Sequence, residues 1–207
     1  MPQQINNSKL SKYWNSFLSH CNLGCSDADW ASDTKDRRSI SGFCFFFQFS
    51  LISWSAVKQR AIALSSTEAE YYALTHAFKE ALWLRVFLTL LSLPIPHLFP
   101  LFSNNQAAIS LSSSLSISSR SKHIDIRHHF LRSHISDGSF SITWIPTTDM
   151  PADIFTKSLP DTVFSRHRSV LNLVIAYLIM FVSLFLSPAD DVSTPTIHYL
   201  RRYSLVY

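Results

Sequence analysis

The sequence predicts an α/β fold, a mixed sheet of about five strands flanked by helices. Three observations carry this. Short apolar runs separated by turn-forming residues fill residues 22–57, one long helical periodicity runs from Ser65 to Leu91, and short apolar runs recur at 98–102 and 140–145. Strands first, then a helix, then mixed strand and helix is the order of a layered α/β domain. With 207 residues, 47% of them hydrophobic and 15% charged, the chain holds enough material for one such domain and a tail, and global disorder is excluded.

The segment before Asp27 reads as the first strand, ending in a turn over Asp27–Trp30. Ser41–Phe47 and Leu51–Trp54 read as the two strands of a hairpin. Ser65 followed three residues later by Glu68 is a capping box, and it opens the helix. Within that helix Ala69, Tyr72, Ala73, Ala77, Ala81, Leu84, Leu88 and Leu91 recur at steps of three and four, so they share one face. Pro94 and Pro96 end it. Leu98 to Phe102 is the fourth strand, and it leads into Asn104. The serine-rich stretch 110–121 predicts a loop or frayed helix, His123 to His134 a polar helix, and Phe140 to Ile145 the fifth strand. Thr148 or Asp149 is placed to cap a last short helix with Pro151 in its first turn.

Composition narrows the function classes. A net charge of +4 is compatible with a nucleic-acid partner. Cys21, Cys25 and Cys44 are odd in number and contain no Cys-x-x-Cys pair, so they predict reduced thiols rather than a zinc site or disulfide framework. Only three glycines serve the whole chain, which predicts that other residues stand where glycine is favoured. No secretory signal opens the sequence. Leu173 to Leu186 is fourteen residues without a charge, short of the roughly 20 that span a bilayer, so membrane association is not expected.

Helix geometry singles out one acid. At about 100° per residue, Glu68 and Glu70 point roughly 160° apart, with Glu70 on the apolar face and Glu68 opposite. A carboxylate on a buried face is costly unless it is partnered. It either bonds a buried basic group or backbone amide, or shares a cation with other acids. Asp27, at a strand end, and Asp153, in a first helical turn, would singly be turn or capping residues. Together with Glu70 they offer the hard oxygen ligands that suit Mg²⁺.

The blocks around these acids name the chemistry. Ser26-Asp27-Ala28-Asp29-Trp30, Ser66-Thr67-Glu68-Ala69-Glu70-Tyr71-Tyr72, Phe102-Ser103-Asn104-Asn105-Gln106 and Ala152-Asp153-Ile154-Phe155-Thr156-Lys157 resemble, in order and spacing, the ribonuclease H domain of copia-type retrotransposon polyproteins. Asp36-Arg37-Arg38-Ser39, Leu51-Ile52-Ser53-Trp54 and Lys122-His123-Ile124-Asp125-Ile126-Arg127-His128-His129-Phe130 extend the likeness. It covers roughly 23–172, leaving 1–22 as a divergent segment and 173–207 as an apolar tail.

The resemblance implies a ribonuclease H-like fold and cleavage of the RNA strand of an RNA–DNA hybrid by two Mg²⁺ ions, with Mn²⁺ as a substitute. It implies Asp27, Glu70 and Asp153 as catalytic metal ligands, with Asp29 and Glu68 as neighbours. The family's third block reads Cys-Asp-Asn-Gln, so Asn104 stands in a ligand position and lowers the cluster's formal charge from −4 to −3, which predicts an impaired nuclease. Asp125 has its own place in the family pattern and is not expected to substitute. The family context implies a chain that covalently follows a reverse transcriptase and works inside the cell, in a cytoplasmic particle or the nucleus. An inactive, hybrid-binding relic of the same fold is the alternative.

Arg120, Lys122, Arg127 and Arg132, with His123, His128 and His129 among them, form the densest basic stretch. They read either as a track for phosphates or as an ordinary solvated face. The histidines lack a third ligand at fixed spacing, so no zinc site is expected. Trp30, Trp54 and Trp144 are expected to pack in the core or hairpin. A hybrid is recognised by groove shape and 2′-hydroxyls, so no sequence specificity is expected.

Overall fold

In a computed structural model, described over residues 22–47, 50–93, 95, 99–113, 130–138 and 140–171, the strands form one five-stranded sheet. These are β1 (Asn22–Asp29), β2 (Ile40–Phe47), β3 (Ser50–Lys58), β4 (Phe99–Ser103) and β5 (Phe140–Trp144), in the order β3-β2-β1-β4-β5. β1, β2 and β3 pair antiparallel, whereas β1–β4 and β4–β5 pair parallel. The first three strands are linked by short connections, as antiparallel neighbours can be, and the parallel step from β3 to β4 carries the long helix α1 (Ser66–Leu90). The predicted mixed α/β sheet is the one observed.

Both faces of the sheet are covered, and alternation along the strands decides which side chain goes where. Phe43 and Phe45 of β2, with Phe99 and Leu101 of β4, face α1 and pack with Tyr71, Leu74, Phe78 and Leu84. Cys25, Cys44, Phe46 and Phe102 point to the other side, where Ile145, Met150, Ala152 and Leu171 close over them. Cys25 and Cys44 are buried free thiols on paired strands; Cys21 lies outside the described residues. Burying one Phe such as Phe78 contributes about 1.5–3 kcal/mol, so these two layers dominate the stability of the domain.

The N-terminus of α1 follows the capping-box reading. Ser65 is extended and its hydroxyl accepts from the Glu68 amide. Glu68 nonetheless departs from the expected outward position: its carboxylate is buried and accepts from the Leu64 amide at 2.7 Å and the Tyr72 hydroxyl at 2.6 Å. The loop before the helix folds back over Glu68, so the side opposite the sheet is also covered. At the other end Leu91 is exposed rather than on the buried face, because it is the cap residue and has left the helical path.

Some of the remaining elements match the expected ones and others do not. Residues 110–113 belong to a short helix, α2 (Gln106–Ser113), where Asn105 caps by accepting from the Ala108 amide. Residues 130–136 are helical, and the rest of the polar helix lies outside the described residues. The predicted last helix is two 3₁₀ turns, Thr147–Asp149 and Pro151–Phe155, and neither Thr148 nor Asp149 caps the second; Met150 does so without a side-chain bond. Buried Asp149 instead pairs with Arg166. Arg166 belongs to α3 (Asp161–Leu171), a helix the sequence reading omits because its polar residues hide a buried edge of only His167 and Leu171. Trp30 and Trp54 are each about half exposed; Trp54 lies in the hairpin strand β3, and Trp30 donates its indole N–H to the Ala63 carbonyl at 3.1 Å outside the core.

Glycine scarcity has a structural signature. Ala31, Arg37 and Ser92 occupy the left-handed region, with φ of 51°, 57° and 55°. Only Gly138 supplies a glycine at positive φ among the described residues. Side chains with a Cβ resist that region by about 1–2 kcal/mol per residue.

Of the expected segments, 1–22 apart from its last residue and all of 173–207 lie outside the described residues. Among the described residues no helix is long and apolar enough to cross a membrane.

Candidate active site

Register builds the site. Ser26 of β1 pairs with Ser103 of β4, so the next residues, Asp27 and Asn104, emerge side by side at one end of the sheet. On its other edge Asp27 is opposite Gly42 of β2. A Cβ at Gly42 would lie 2.6 Å from Thr156 Cγ2, 3.0 Å from Phe155 Cβ and 3.2 Å from the Ala152 carbonyl. The missing side chain is therefore what lets the Pro151–Phe155 turn rest on the sheet and bring Asp153 to Asp27. The first turn of α1 delivers Glu70 to the same place. Gln59 holds that turn down, its amide donating to the Ala69 carbonyl at 2.9 Å and the Ser41 hydroxyl at 2.8 Å.

The four positions singled out by the sequence motifs converge. Asp27 is 1% exposed, Asp153 3% and Glu70 7%, while Asn104 is half-buried. Asn104 donates its side-chain amide to Asp27 Oδ1 at 3.2 Å and to Thr147 Oγ1 at 3.4 Å, and its backbone carbonyl accepts from Trp144 Nε1 at 3.1 Å. On the other side of Asp27, Oδ2 accepts from the Thr156 hydroxyl. Lys157 Nζ lies 3.6 Å from that oxygen and 3.1 Å from Asp153 Oδ1.

This much negative charge in a dry place is costly, and the titration of the acids reflects it. Burial first, then the Asp27 charge, pushes Glu70 up to about 9, although the Ala28 amide and Lys157 pull the other way. Burial and Asp27 likewise push Asp153 up to about 7 against Lys157. Lys157 itself is lowered by burial but held above its usual value by Asp27 and Asp153. Glu70 Oε2 is buried without a hydrogen-bond partner, and Asp153 Oδ1 has the Lys157 ammonium at 3.1 Å.

The orphaned Glu70 oxygen, and a donor set of carboxylates and one side-chain amide carbonyl, fit a hard divalent cation. The side chains as they stand do not form a finished cage: among the described residues no three acidic, histidine or cysteine groups are close enough together to hold a metal. Lys157 is the positive charge now present.

Sequence reading missed Lys157, Thr156 and Gln59. The first two were legible: at i+3 and i+4 from Asp153 they fall beside it on any helical turn. Gln59 carried no local signal, because its role depends on packing between β2 and α1. Of the basic stretch, Arg120, Lys122 and Arg127 lie outside the described residues, as do His123, Asp125, His128 and His129. Arg132 is half-buried, its Nε without a partner, close enough to Tyr71 for its charge to act on that phenol.

A mixed sheet in the order 3-2-1-4-5, with acids delivered from β1, α1 and a late 3₁₀ turn beside Asn104 at the end of β4, defines a ribonuclease H-like domain. No protein-family model matches the chain. The chain is a homologue of the Pol polyproteins of copia-type retrotransposons. It is 38% identical over 150 residues to the retrovirus-related Pol polyprotein from transposon TNT 1-94 of Nicotiana tabacum, covering 72% of this chain and 11% of that one. It is 34% identical over 149 residues to the corresponding polyprotein from transposon RE2 of Arabidopsis thaliana, covering 72% and 10%. The chain thus spans about a tenth of the length of these relatives. Among solved structures it is similar to RNase H1 from the halophilic archaeon Halobacterium salinarum, with 15% identity over 65% of this chain and 93% of that one, at a TM-score of 0.47.

Proposed function

We propose that this domain binds RNA–DNA hybrids and hydrolyses the RNA strand weakly, through divalent ions held at Asp27, Glu70 and Asp153. The convergence of these three acids with Asn104 at one end of the sheet supports the reading most directly. When bound, Mg²⁺ or Mn²⁺ would polarise the scissile phosphate and lower the pKa of an attacking water. Asp27 and Asp153 would hold one edge of the site, and Glu70 its inner wall. Asn104 can contribute its carbonyl oxygen, but in place of a carboxylate it withholds one negative charge. Loss of one such electrostatic group costs on the order of 10²–10³ in rate.

An inactive, hybrid-binding relic is the second reading. The 3.2 Å hydrogen bond that the Asn104 amide donates to Asp27 Oδ1 favours it, because it engages the ligand oxygen nearest the substituted position. Arg132, with Arg120, Lys122 and Arg127, supplies the proposed phosphate contacts in both readings. The domain's covalent place after a reverse transcriptase, and its work inside the cell, are part of the same proposal.

The test is hybrid cleavage by the full chain with Mg²⁺ or Mn²⁺, beside an Asn104→Asp variant. Slow cutting, accelerated about 10²-fold by the substitution, is expected. Equal rates would overturn the role given to Asn104. Hybrid binding with no cutting by either chain would select the relic.

A further inference from the structure

We propose that Lys157 is a tethered cation that competes with a divalent ion for the Asp27–Asp153 edge of the site. The inference rests on the metal-binding reading above and adds a residue to it.

Four observations carry it. The Lys157 ammonium stands 3.1 Å from Asp153 Oδ1 and 3.6 Å from Asp27 Oδ2, so it bridges two acids that come from separate elements. Both carboxylates are almost wholly buried, whereas the lysine side chain is 31% exposed and can swing out to water. The lysine contacts only one side of Asp27; the Oδ1 side belongs to Asn104. Finally, Glu70 Oε2 remains buried and unpartnered, so the lysine does not satisfy the inner wall of the site.

A monovalent ammonium thus occupies the edge where two almost wholly buried acids meet. The divalent ion must displace it, because two cations a few ångströms apart in a poorly screened pocket repel strongly. Ion entry then becomes an exchange in which Lys157 leaves for solvent. The fold gains a stable metal-free state, and the ion binds less tightly than three buried carboxylates would otherwise hold it.

Mn²⁺ titration of the full chain, followed by calorimetry and by the shift in Tm, tests this on the unmodified protein, Lys157→Gln and Lys157→Arg. Lys157→Gln is expected to bind Mn²⁺ about tenfold more tightly, allowing for the partial exposure of the lysine. Its metal-free Tm is expected to fall and its Tm gain with Mn²⁺ to grow. Lys157→Arg keeps the charge and is expected to stay near the unmodified affinity, which separates charge from a loss of folding. Unchanged or weaker Mn²⁺ binding by a folded Lys157→Gln would overturn the proposal, as would absence of binding by all three chains. Tighter Mn²⁺ binding alongside no cleavage of hybrid, even with Asp at position 104, would sink the nuclease reading and leave the competition standing.

Discussion

The side-chain amide of Asn104 donates to Asp27 Oδ1 across 3.2 Å, joining the ends of two parallel-paired strands. A carboxylate at position 104 would face Asp27 at the same distance and repel it. The neutral amide therefore stabilises the metal-free fold at the position where an acid would serve a metal.

Asn104→Asp is accordingly expected to lower the metal-free stability by about 1–2 kcal/mol, through the lost bond and the added like charge. Saturating Mg²⁺ is expected to restore it. Urea unfolding with and without Mg²⁺ measures both arms; an unchanged metal-free midpoint would contradict the role of the amide.

Glu70 sets a pH dependence. Its folded value of about 9 lies above its ordinary 4.5, so the native state holds a proton that the unfolded chain releases. Its contribution to stability is fully present below pH 4.5 and is lost as pH rises toward 9. Without metal, the domain is expected to be less stable at pH 8 than at pH 5 by at least ~1 kcal/mol. Glu70→Gln, which stays neutral, should flatten that slope. Denaturant midpoints at the two pH values decide it, and an equal slope in both proteins would exclude Glu70 as the source.

Gly42→Ala places a Cβ 2.6 Å from Thr156 Cγ2 and 3.2 Å from the Ala152 carbonyl. The turn carrying Asp153 must lift off β2. A loss of about 1–3 kcal/mol is expected, together with a smaller Tm gain on adding Mn²⁺. Gly138→Ala is a useful contrast: nothing lies within 4 Å of its Cβ position, so its cost comes only from a φ of +74° and should leave the Mn²⁺ response unchanged.

Ala31→Gly and Ser92→Gly relieve left-handed backbone at φ 51° and 55°. Each is expected to stabilise by about 0.5–1 kcal/mol, the relief of strain outweighing the greater freedom of the unfolded chain. Thermal unfolding of the single and double variants tests it; a lower Tm in both would show that the turns tolerate a Cβ without strain.

The strands and the long helix were legible in the sequence because each depends on local pattern, and the four convergent positions because the blocks around them resemble the copia-type domain. Short apolar runs between turn-forming residues marked β2 and β3, the capping box fixed the start of α1, and helical spacing put Glu70 on the sheet side. Tertiary structure decided what local pattern cannot carry. Glu68 is buried because the chain before α1 folds over it, and α3 is ordered although only His167 and Leu171 are buried in it. The family resemblance likewise marked Asn104 as a missing carboxylate, but only the pairing of β1 with β4 made its amide a partner of Asp27. The same holds for Lys157, whose neighbours come from β1 and a late turn. Charge and periodicity are written along the chain; the dielectric around a charge, and the partner that neutralises it, are set by residues that lie 77 or 129 positions away.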